Sequence, residues 1–356
     1  MNATILHIDR KVKRRELDAA GIDDFQCRPI ASVDARTALD NEPFTLYCLD
    51  PAGGRAVFVK TSPELNLDRE PFYYVAQYRH AELLMTVSFA DFHLLAGEQR
   101  DSFENLILIF SVGRCGSTLL SQAFSMLDSV QSLSEPDVFT NISGLRRPDG
   151  GNDEELTRLL QSSVRLTFRP RRREATTLAI KFRSQTLGMA FLLHLVFPSA
   201  KALFLYRNAE SWAQSYVRAF GFPLPPARMA EPDAPFLPAE LLARHWASLI
   251  HRYEALSGSL PMLGLRYETL LAEPTEALRA VFEFCGLPQT EVPKAEAAFA
   301  RDSQRGTSLA RDILIRRNAA QLTPEHIEQI RGVLGSDPSI RNSDFVAANT
   351  VTVYRP

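Results

Sequence analysis

The feature that most constrains the fold is the apolar run "NLILIFSV" at residues 105–112, which leads into a Gly-containing turn and then a segment of helical apolar periodicity. A strand that is apolar on both faces is typical of a parallel sheet covered by helices. The runs "TTLAIKF", "AKALFLYR" and "PMLGLRYE" repeat the pattern, with amphipathic or apolar helical segments between them. This alternation predicts an α/β fold with a parallel sheet and helices on both faces.

The pattern changes near residue 100, so we expect a boundary there. Residues 1–100 hold short β-like runs such as "ATILHI", "FTLYCLD" and "RAVFVKT", separated by turn signals. They predict a small N-terminal α+β extension or cap, whose role the sequence leaves unknown. Residues 101–356 form the predicted main domain. Within it, the Pro-rich stretch from Gly221 to Pro238 predicts a surface loop, followed by a long helix to about Leu256.

Charge and composition exclude several classes of protein. The net charge is -2 and the isoelectric point is about 6.4, which argues against nucleic acid as a partner. A basic cluster at 169–174 is typical of a solvated loop. The four cysteines form no CxxC pair, so neither a metal site nor a disulfide framework is expected. The N-terminus lacks a secretory pattern and no apolar run is long enough for a membrane span, which predicts a cytoplasmic protein.

The turn after the first strand has the context of a phosphate-binding loop. In "SVGRCGSTLL", glycines at 113 and 116 allow the backbone to turn tightly and bring N–H groups to an anion at a helix N-terminus. An ordinary capped strand–helix turn is the competing interpretation. The ATP-binding pattern GxxxxGK[ST] does not fit, because Ser117 holds the position of the Lys and the cation is Arg114 instead.

This loop resembles the 5′-phosphosulfate loop of sulfotransferases that use PAPS, 3′-phosphoadenosine 5′-phosphosulfate. The resemblance implies a P-loop NTPase-like sulfotransferase core, three layers around a parallel sheet. It implies that PAPS is the co-substrate and that no metal is needed. The loop differs from the family pattern at Gly113, where relatives carry Pro, and at Cys115, where they carry Ser. The implied phosphosulfate ligands are Arg114, Cys115, Gly116, Ser117 and Thr118.

Two later signatures extend the resemblance over roughly residues 104–310. In "KALFLYRNAESWAQSYVRAF", Arg207 and Ser215 match the family's pair of 3′-phosphate ligands. In "LGLRYETLLAEPTEALRAVFEFCGLP", Tyr267 matches a position near the adenine, although a core aromatic is an equal interpretation. In "DSQRGTSL", Arg305 and Gly306 match a loop that returns to the 3′-phosphate.

The acceptor must lose a proton during sulfuryl transfer, so the site needs a base. Cytosolic relatives use a His two residues after a Lys, but Arg183 holds that position after Lys181. Other branches of the family use a Glu, which implies Glu135, with Asp137 as the local competitor. Lys181 and Arg114 are the implied catalytic cations, although Lys181 is also compatible with a strand-end residue that points to solvent.

Two other functions stay open at this point, a nucleotide kinase or NTPase with a degenerate loop and a non-catalytic nucleotide-binding relative. The acceptor is not readable from the sequence, and small-molecule, carbohydrate, lipid and peptide acceptors are all compatible with it. The oligomeric state cannot be read from the sequence either.

Overall fold

The computed structural model describes residues 1–99, 103–169, 174–221, 238–316 and 321–353. Its contacts divide the chain into two compact units, and β6, the strand before the phosphate loop, contains a boundary between them. The first unit comprises Met1–Leu108 and Phe124–Ala200, and the second comprises Ile109–Ala123 and Lys201–Pro356.

The N-terminal part of the first unit is built on an antiparallel sheet with the strand order β2-β1-β5-β4-β3. Its strands are β1 (Asn2–Lys11), β2 (Phe25–Asp34), β3 (Phe44–Asp50), β4 (Arg55–Lys60) and β5 (Leu83–Ser88). Three helices accompany them, α1 (Ala35–Asn41), α2 (Tyr73–His80) and α3 (Phe89–Gly97). The strand β4, which lies between β5 and β3, is buried along most of its length, as its apolar run predicts.

A second sheet has the strand order β10-β9-β6-β8-β7. Its strands are β6 (Asn105–Ser111), β7 (Val130–Ser134), β8 (Thr177–Lys181), β9 (Lys201–Tyr206) and β10 (Met262–Arg266). The pairs β7–β8 and β9–β10 are parallel. Helices follow the strands along the chain, so the predicted α/β class with a parallel sheet flanked by helices is confirmed.

Along the chain, the helices of this α/β part lie between its strands or after the last of them. They are α4 (Ser117–Ser125), α5 (Val138–Leu145), α6 (Asp153–Thr167), α7 (Ala190–Val196), α8 (Ala209–Phe220), α9 (Pro238–Ser257), α10 (Tyr267–Ala272), α11 (Pro274–Cys285), α12 (Val292–Glu296), α13 (Arg311–Arg316) and α14 (Pro324–Gly335).

Local sequence signals explain where several helices begin and end. The side chain of Asn208 caps α8 by accepting from the amides of Glu210 and Ser211. Pro274 opens α11, and Gly286 ends it in the left-handed conformation at φ 69°. In the described residues, no helix is long and apolar enough to cross a membrane.

Three strands were not predicted. β2 is largely exposed, and β7 buries polar side chains such as Gln131 and Ser132, so neither has the apolar pattern of a buried strand. β5 is not among the β-like runs named for residues 1–100 and lies between the helices α2 and α3. The predicted loop at 221–238 lies outside the described residues except for its two ends, and residues 170–173 of the basic cluster lie outside them too.

Candidate functional site

The predicted phosphate-binding loop lies between β6 and α4, in the second unit. Gly113 and Gly116 adopt φ angles of 75° and 83°, and Arg114 between them has φ 53°. Left-handed residues in close succession make the backbone turn so that N–H groups converge. The first-turn amides of α4 have no partners inside the helix, so the loop and the helix start together form a potential anion site.

Tyr267 covers this loop. It is the first residue of α10, directly after β10, and its ring approaches Gly116 so closely that a Cβ there would lie 2.7 Å from Tyr267 Cδ2. The guanidinium of Arg207 lies over the same ring, 4.6 Å from its centroid. Tyr267 is only half-buried, so it packs at the loop rather than in the core. Gly116 is therefore required both by its φ angle and by the aromatic ring beside it.

Two arginines bring positive charge to the loop. Arg114 Nε donates to Ser215 Oγ at 3.4 Å, and within the described residues its side chain forms no salt bridge. Burial, and then the neighbouring charge of Arg207, lower the pKa of Arg114. Arg207 directly follows β9, its buried Nε has no hydrogen-bond partner among the described residues, and the nearest carboxylate, Glu268, is 3.9 Å away. These guanidiniums are arranged for an anionic ligand.

The segment at 302–306 lies against α4. Gln304 Nε2 donates to Thr118 Oγ1 at 3.3 Å, and Gln122 Nε2 donates to the carbonyl of Ser303 at 2.9 Å. The predicted Arg305–Gly306 pair therefore belongs to a segment anchored on the phosphate-loop helix, with Arg305 exposed. Gln304 was missed by sequence reasoning, and its only signal was its place beside the Arg-Gly pair.

Cys115 turns away from the anion site. Its fully buried Sγ donates to the carbonyl of Leu205 on β9 at 3.2 Å. Its thiol is therefore engaged with β9 instead of the predicted anion site. Ser117 Oγ accepts from Ser111 Oγ at 3.3 Å, which holds the start of α4 on the end of β6.

A second cluster lies in the first unit, at the ends of the parallel strands β7 and β8. Ser134 pairs with Lys181 in the strand register, and the amide of Glu135 donates to the Lys181 carbonyl at 2.7 Å. The side chains of Glu135 and Lys181 form a salt bridge, with 13% and 5% of their surfaces exposed. Lys181 therefore points inward rather than to solvent. Glu135 is the more accessible partner and has an unusual φ of 62°.

Asp137 is placed differently from Glu135. Its carboxylate is 0% exposed, accepts from the amide of Ala20 at 2.6 Å, and forms a salt bridge with Arg183 at 3.1 Å. Burial is the largest single influence and lowers the pKa of Arg183. The charge of Asp137, together with those of Tyr74 and Glu135 and the hydrogen bond to Asp137, outweighs it, and the net pKa is above the ordinary value. With both oxygens engaged and no exposed surface, Asp137 is a poorer candidate for a base than Glu135.

The structure therefore groups the predicted residues into two clusters, one in each unit. The second unit holds the predicted donor-binding residues, namely Arg114, Cys115, Gly116, Ser117, Thr118, Arg207, Ser215, Tyr267, Arg305 and Gly306. The first unit holds Glu135 and Lys181. Across the described ranges, no group of three or more His, Cys, Asp or Glu side chains is placed to hold a metal ion.

Comparison with known families adds an independent finding. A model described as "Sulfotransferase family" matches residues 107–291, just over half of the 356 residues. A search of curated proteins found no match. The matched span begins inside β6 and ends after α11. It includes Glu135, Lys181 and the predicted donor-binding residues from Arg114 to Tyr267, but not Arg305 and Gly306, and it excludes the N-terminal antiparallel sheet.

Solved structures of sulfotransferases are similar at low identity. The sulfotransferase domain from the curacin biosynthetic pathway is 14% identical, with 66% of this chain and 99% of that chain covered and a TM-score of 0.41. A sulfotransferase from Alicyclobacillus acidocaldarius is 18% identical, with coverages of 56% and 97% and a TM-score of 0.35. A mouse sulfotransferase complexed with PAP is 13% identical, with coverages of 72% and 93% and a TM-score of 0.40.

Proposed function

Because this chain belongs to the sulfotransferase family, we propose that it transfers a sulfuryl group from PAPS to a hydroxyl or amine of an acceptor. The observation that carries the choice of donor is the pair of guanidiniums at the phosphate loop. Arg207 lies close enough to lower the pKa of Arg114. Among the described residues Arg114 forms no salt bridge, and Arg207 approaches Glu268 only to 3.9 Å. Such a pair is stabilised by a ligand that carries more than one anionic group, as PAPS does.

In this proposal the loop and the arginines have separate tasks. Loop N–H groups, Ser117 and Thr118 bind the 5′-phosphosulfate, and Arg207 with Ser215 binds the 3′-phosphate. Tyr267 packs beside the adenine, and the anchored 302–306 segment adds Arg305 and Gly306. Arg114, next to Ser215, supports either phosphate and offsets charge that develops on the leaving oxygen.

Glu135 is the proposed base, which takes the proton that the acceptor loses during sulfuryl transfer. An acceptor oxygen or nitrogen attacks the sulfur in line, the bond from sulfur to the bridging phosphate oxygen breaks, and the acceptor proton passes to Glu135. Lys181 lies in a salt bridge with this carboxylate, at the ends of β7 and β8. Lys181 is also a proposed cation for the sulfuryl group and the bridging oxygen. The acceptor class stays open among small molecules, carbohydrates, lipids and peptides.

The donor is tested by calorimetric titration with PAP, the nucleotide product, and in parallel with ATP and Mg²⁺. We expect PAP to bind and ATP–Mg²⁺ to bind far more weakly, since the Lys of an ATP-binding loop is absent. Arg207→Ala is titrated in the same way, with Arg279→Ala as its matched control. Arg279 is an exposed arginine of the same unit, and among the described residues its salt bridge is with Glu276 of its own helix. Preferred binding of ATP–Mg²⁺ with ATP turnover would instead favour a nucleotide kinase or NTPase.

The base is tested with Glu135→Gln, which keeps the shape of the side chain and removes its basicity. Transfer from ³⁵S-labelled PAPS is measured over a panel of phenols, sugars, alcohols and amines, and the best acceptor is then kept for all variants. We expect Glu135→Gln to bind PAP like the wild type and to lose turnover. Full turnover by this variant would exclude Glu135 as the base.

A further inference from the structure

The turn that carries Glu135 adopts a conformation that its own sequence does not favour. Glu135 has φ 62°, in the left-handed region where residues other than Gly, Asn and Asp are rare, and Pro136 follows it. Such a conformation persists only where the surrounding structure fixes it. The question is therefore which contacts hold this turn.

Both ends of the turn are held by residues from the N-terminal part of the first unit. Before Glu135, Ser134 Oγ donates to the carbonyl of Pro71 at 2.7 Å. After it, Asp137 Oδ2 accepts from the amide of Ala20 at 2.6 Å. Asp137 is the N-cap residue of α5, yet its side chain does not cap that helix, although Asp is among the favoured capping residues. Its carboxylate is committed to the N-terminal contact instead.

The connection between β1 and β2, residues 12–24, is itself fixed on this site. Arg183 Nη2 donates to the carbonyl of Leu17 at 2.9 Å, and Asn141 Nδ2 donates to the carbonyl of Ala20 at 2.9 Å. The guanidinium of Arg183 also lies over the ring of Tyr74, 5.2 Å from its centroid. Arg183 thus joins Asp137 to the N-terminal segments, at the position where cytosolic relatives of the family have a His.

We propose that the N-terminal region is part of the catalytic apparatus, with Asp137, Arg183 and Ser134 as positioning residues that hold Glu135 in its working conformation. The proposal rests on the proposed role of Glu135 as base. It gives the N-terminal sheet, which lies outside the matched family span, a definite task. It also explains why a carboxylate two residues from the base is buried and engaged on both oxygens.

Charge balance gives the proposal a measurable signature. The described structure places Lys181, Arg183 and Asp137 around the turn, and the charge of Glu135 contributes to the raised pKa of Arg183. Asp137→Asn leaves Arg183 without its carboxylate partner. The positive charge then acts more strongly on Glu135 and favours its ionised form. We therefore expect the acidic limb of the pH–rate profile to move to lower pH, which loss of stability alone would not cause.

Two variants and a matched control test the proposal in the full-length chain. Asp137→Asn removes the charge with little change in shape, and Ser134→Ala removes the contact with Pro71 without changing charge. Asp153→Asn is the control, because Asp153 also forms a salt bridge with an arginine of the first unit, Arg146, away from the turn. Hydrogen exchange of the peptide that spans the turn, PAP affinity, and kcat and its pH profile with the best acceptor are measured for each.

For Asp137→Asn we expect kcat to fall by about 10- to 100-fold, since small displacements of a catalytic group have effects of that size. We expect faster exchange in the turn, unchanged PAP affinity and the shifted acidic limb. Ser134→Ala should show faster exchange in the turn and a lower kcat, without a shift of the acidic limb of the pH–rate profile. If Asp137→Asn does not fold, Ser134→Ala alone tests the proposal. If the folded variants have the same hydrogen-exchange rates and the same kcat as the Asp153→Asn control, the proposal is overturned. Full turnover by Glu135→Gln would overturn the base assignment instead, so the two failures are distinguishable.

Discussion

Gly116→Ala tests the geometry of the phosphate loop most sharply, because two separate features of the structure exclude a side chain there. Gly116 has φ 83°, and a Cβ would lie 2.7 Å from Tyr267 Cδ2 and 3.0 Å from Cε2. The first feature strains the backbone. The second forces the ring of Tyr267 to move, and with it the contact between that ring and Arg207.

The expected magnitude follows from these two contributions. A left-handed φ costs an L-residue about 1–2 kcal/mol, and forcing extra volume into a filled site typically costs about 1–3 kcal/mol. We therefore expect the free energy of unfolding to fall by about 2–5 kcal/mol. A cation–π contact such as that of Arg207 is worth about 0.5–2 kcal/mol, so PAP affinity should fall severalfold to more than tenfold from this loss alone.

Gly221→Ala is the matched control. Gly221 has the same φ of 83°, but none of the residues that the structure describes has an atom within 4 Å of a Cβ built there. It therefore carries the backbone strain without the clash. Urea unfolding and PAP titration of both variants isolate the contribution of Tyr267, and the double variant Gly116→Ala/Tyr267→Ala should remove the clash. If Gly116→Ala is no less stable than Gly221→Ala and binds PAP like the wild type, the described packing of Tyr267 on the loop is wrong.

Three further predictions concern single side chains. Arg207→Ala should weaken PAP binding by about 10- to 150-fold, which is the contribution of a hydrogen bond to a charged group. Arg207→Lys should recover only part of this affinity, because Lys lacks the two parallel N–H donors of the guanidinium, and PAP titration measures both variants. In the native protein, Cys27 should react with a thiol reagent well before buried Cys115, and equal rates would contradict the burial of the loop thiol. Gly264→Ala should lower the free energy of unfolding by about 1–3 kcal/mol, since its Cβ would lie 2.6 Å from Thr350 Oγ1.

The phosphate loop could be predicted from sequence because its determinants are local. Glycines at 113 and 116 stand between an apolar strand and a periodic helix, and that order fixes where the loop lies. Helix ends such as Gly286 were predictable for the same reason. The side-chain direction of Cys115 was not, since it depends on a carbonyl of β9 that lies 90 residues away along the chain.

The surroundings of Glu135 were less predictable. β7, the strand before it, buries serines and a glutamine, so it lacks an apolar signature. The bond from Ala20 to Asp137 joins residues 117 positions apart. No periodicity in the sequence links them, because the contact arises only when the antiparallel sheet packs within the first unit. The family resemblance implied Glu135 as the base, with Asp137 as its local competitor, and their different burial in the structure favours Glu135.

The central claim is that this chain moves a sulfuryl group from PAPS by means of Glu135. The most direct measurement incubates the purified protein with ³⁵S-labelled PAPS and the acceptor panel, in parallel with Glu135→Gln, and separates the labelled products. The proposed function predicts a new labelled product and stoichiometric PAP with the wild type, and neither with Glu135→Gln. Equal product from the two proteins, or turnover of ATP–Mg²⁺ with none of PAPS, would contradict it.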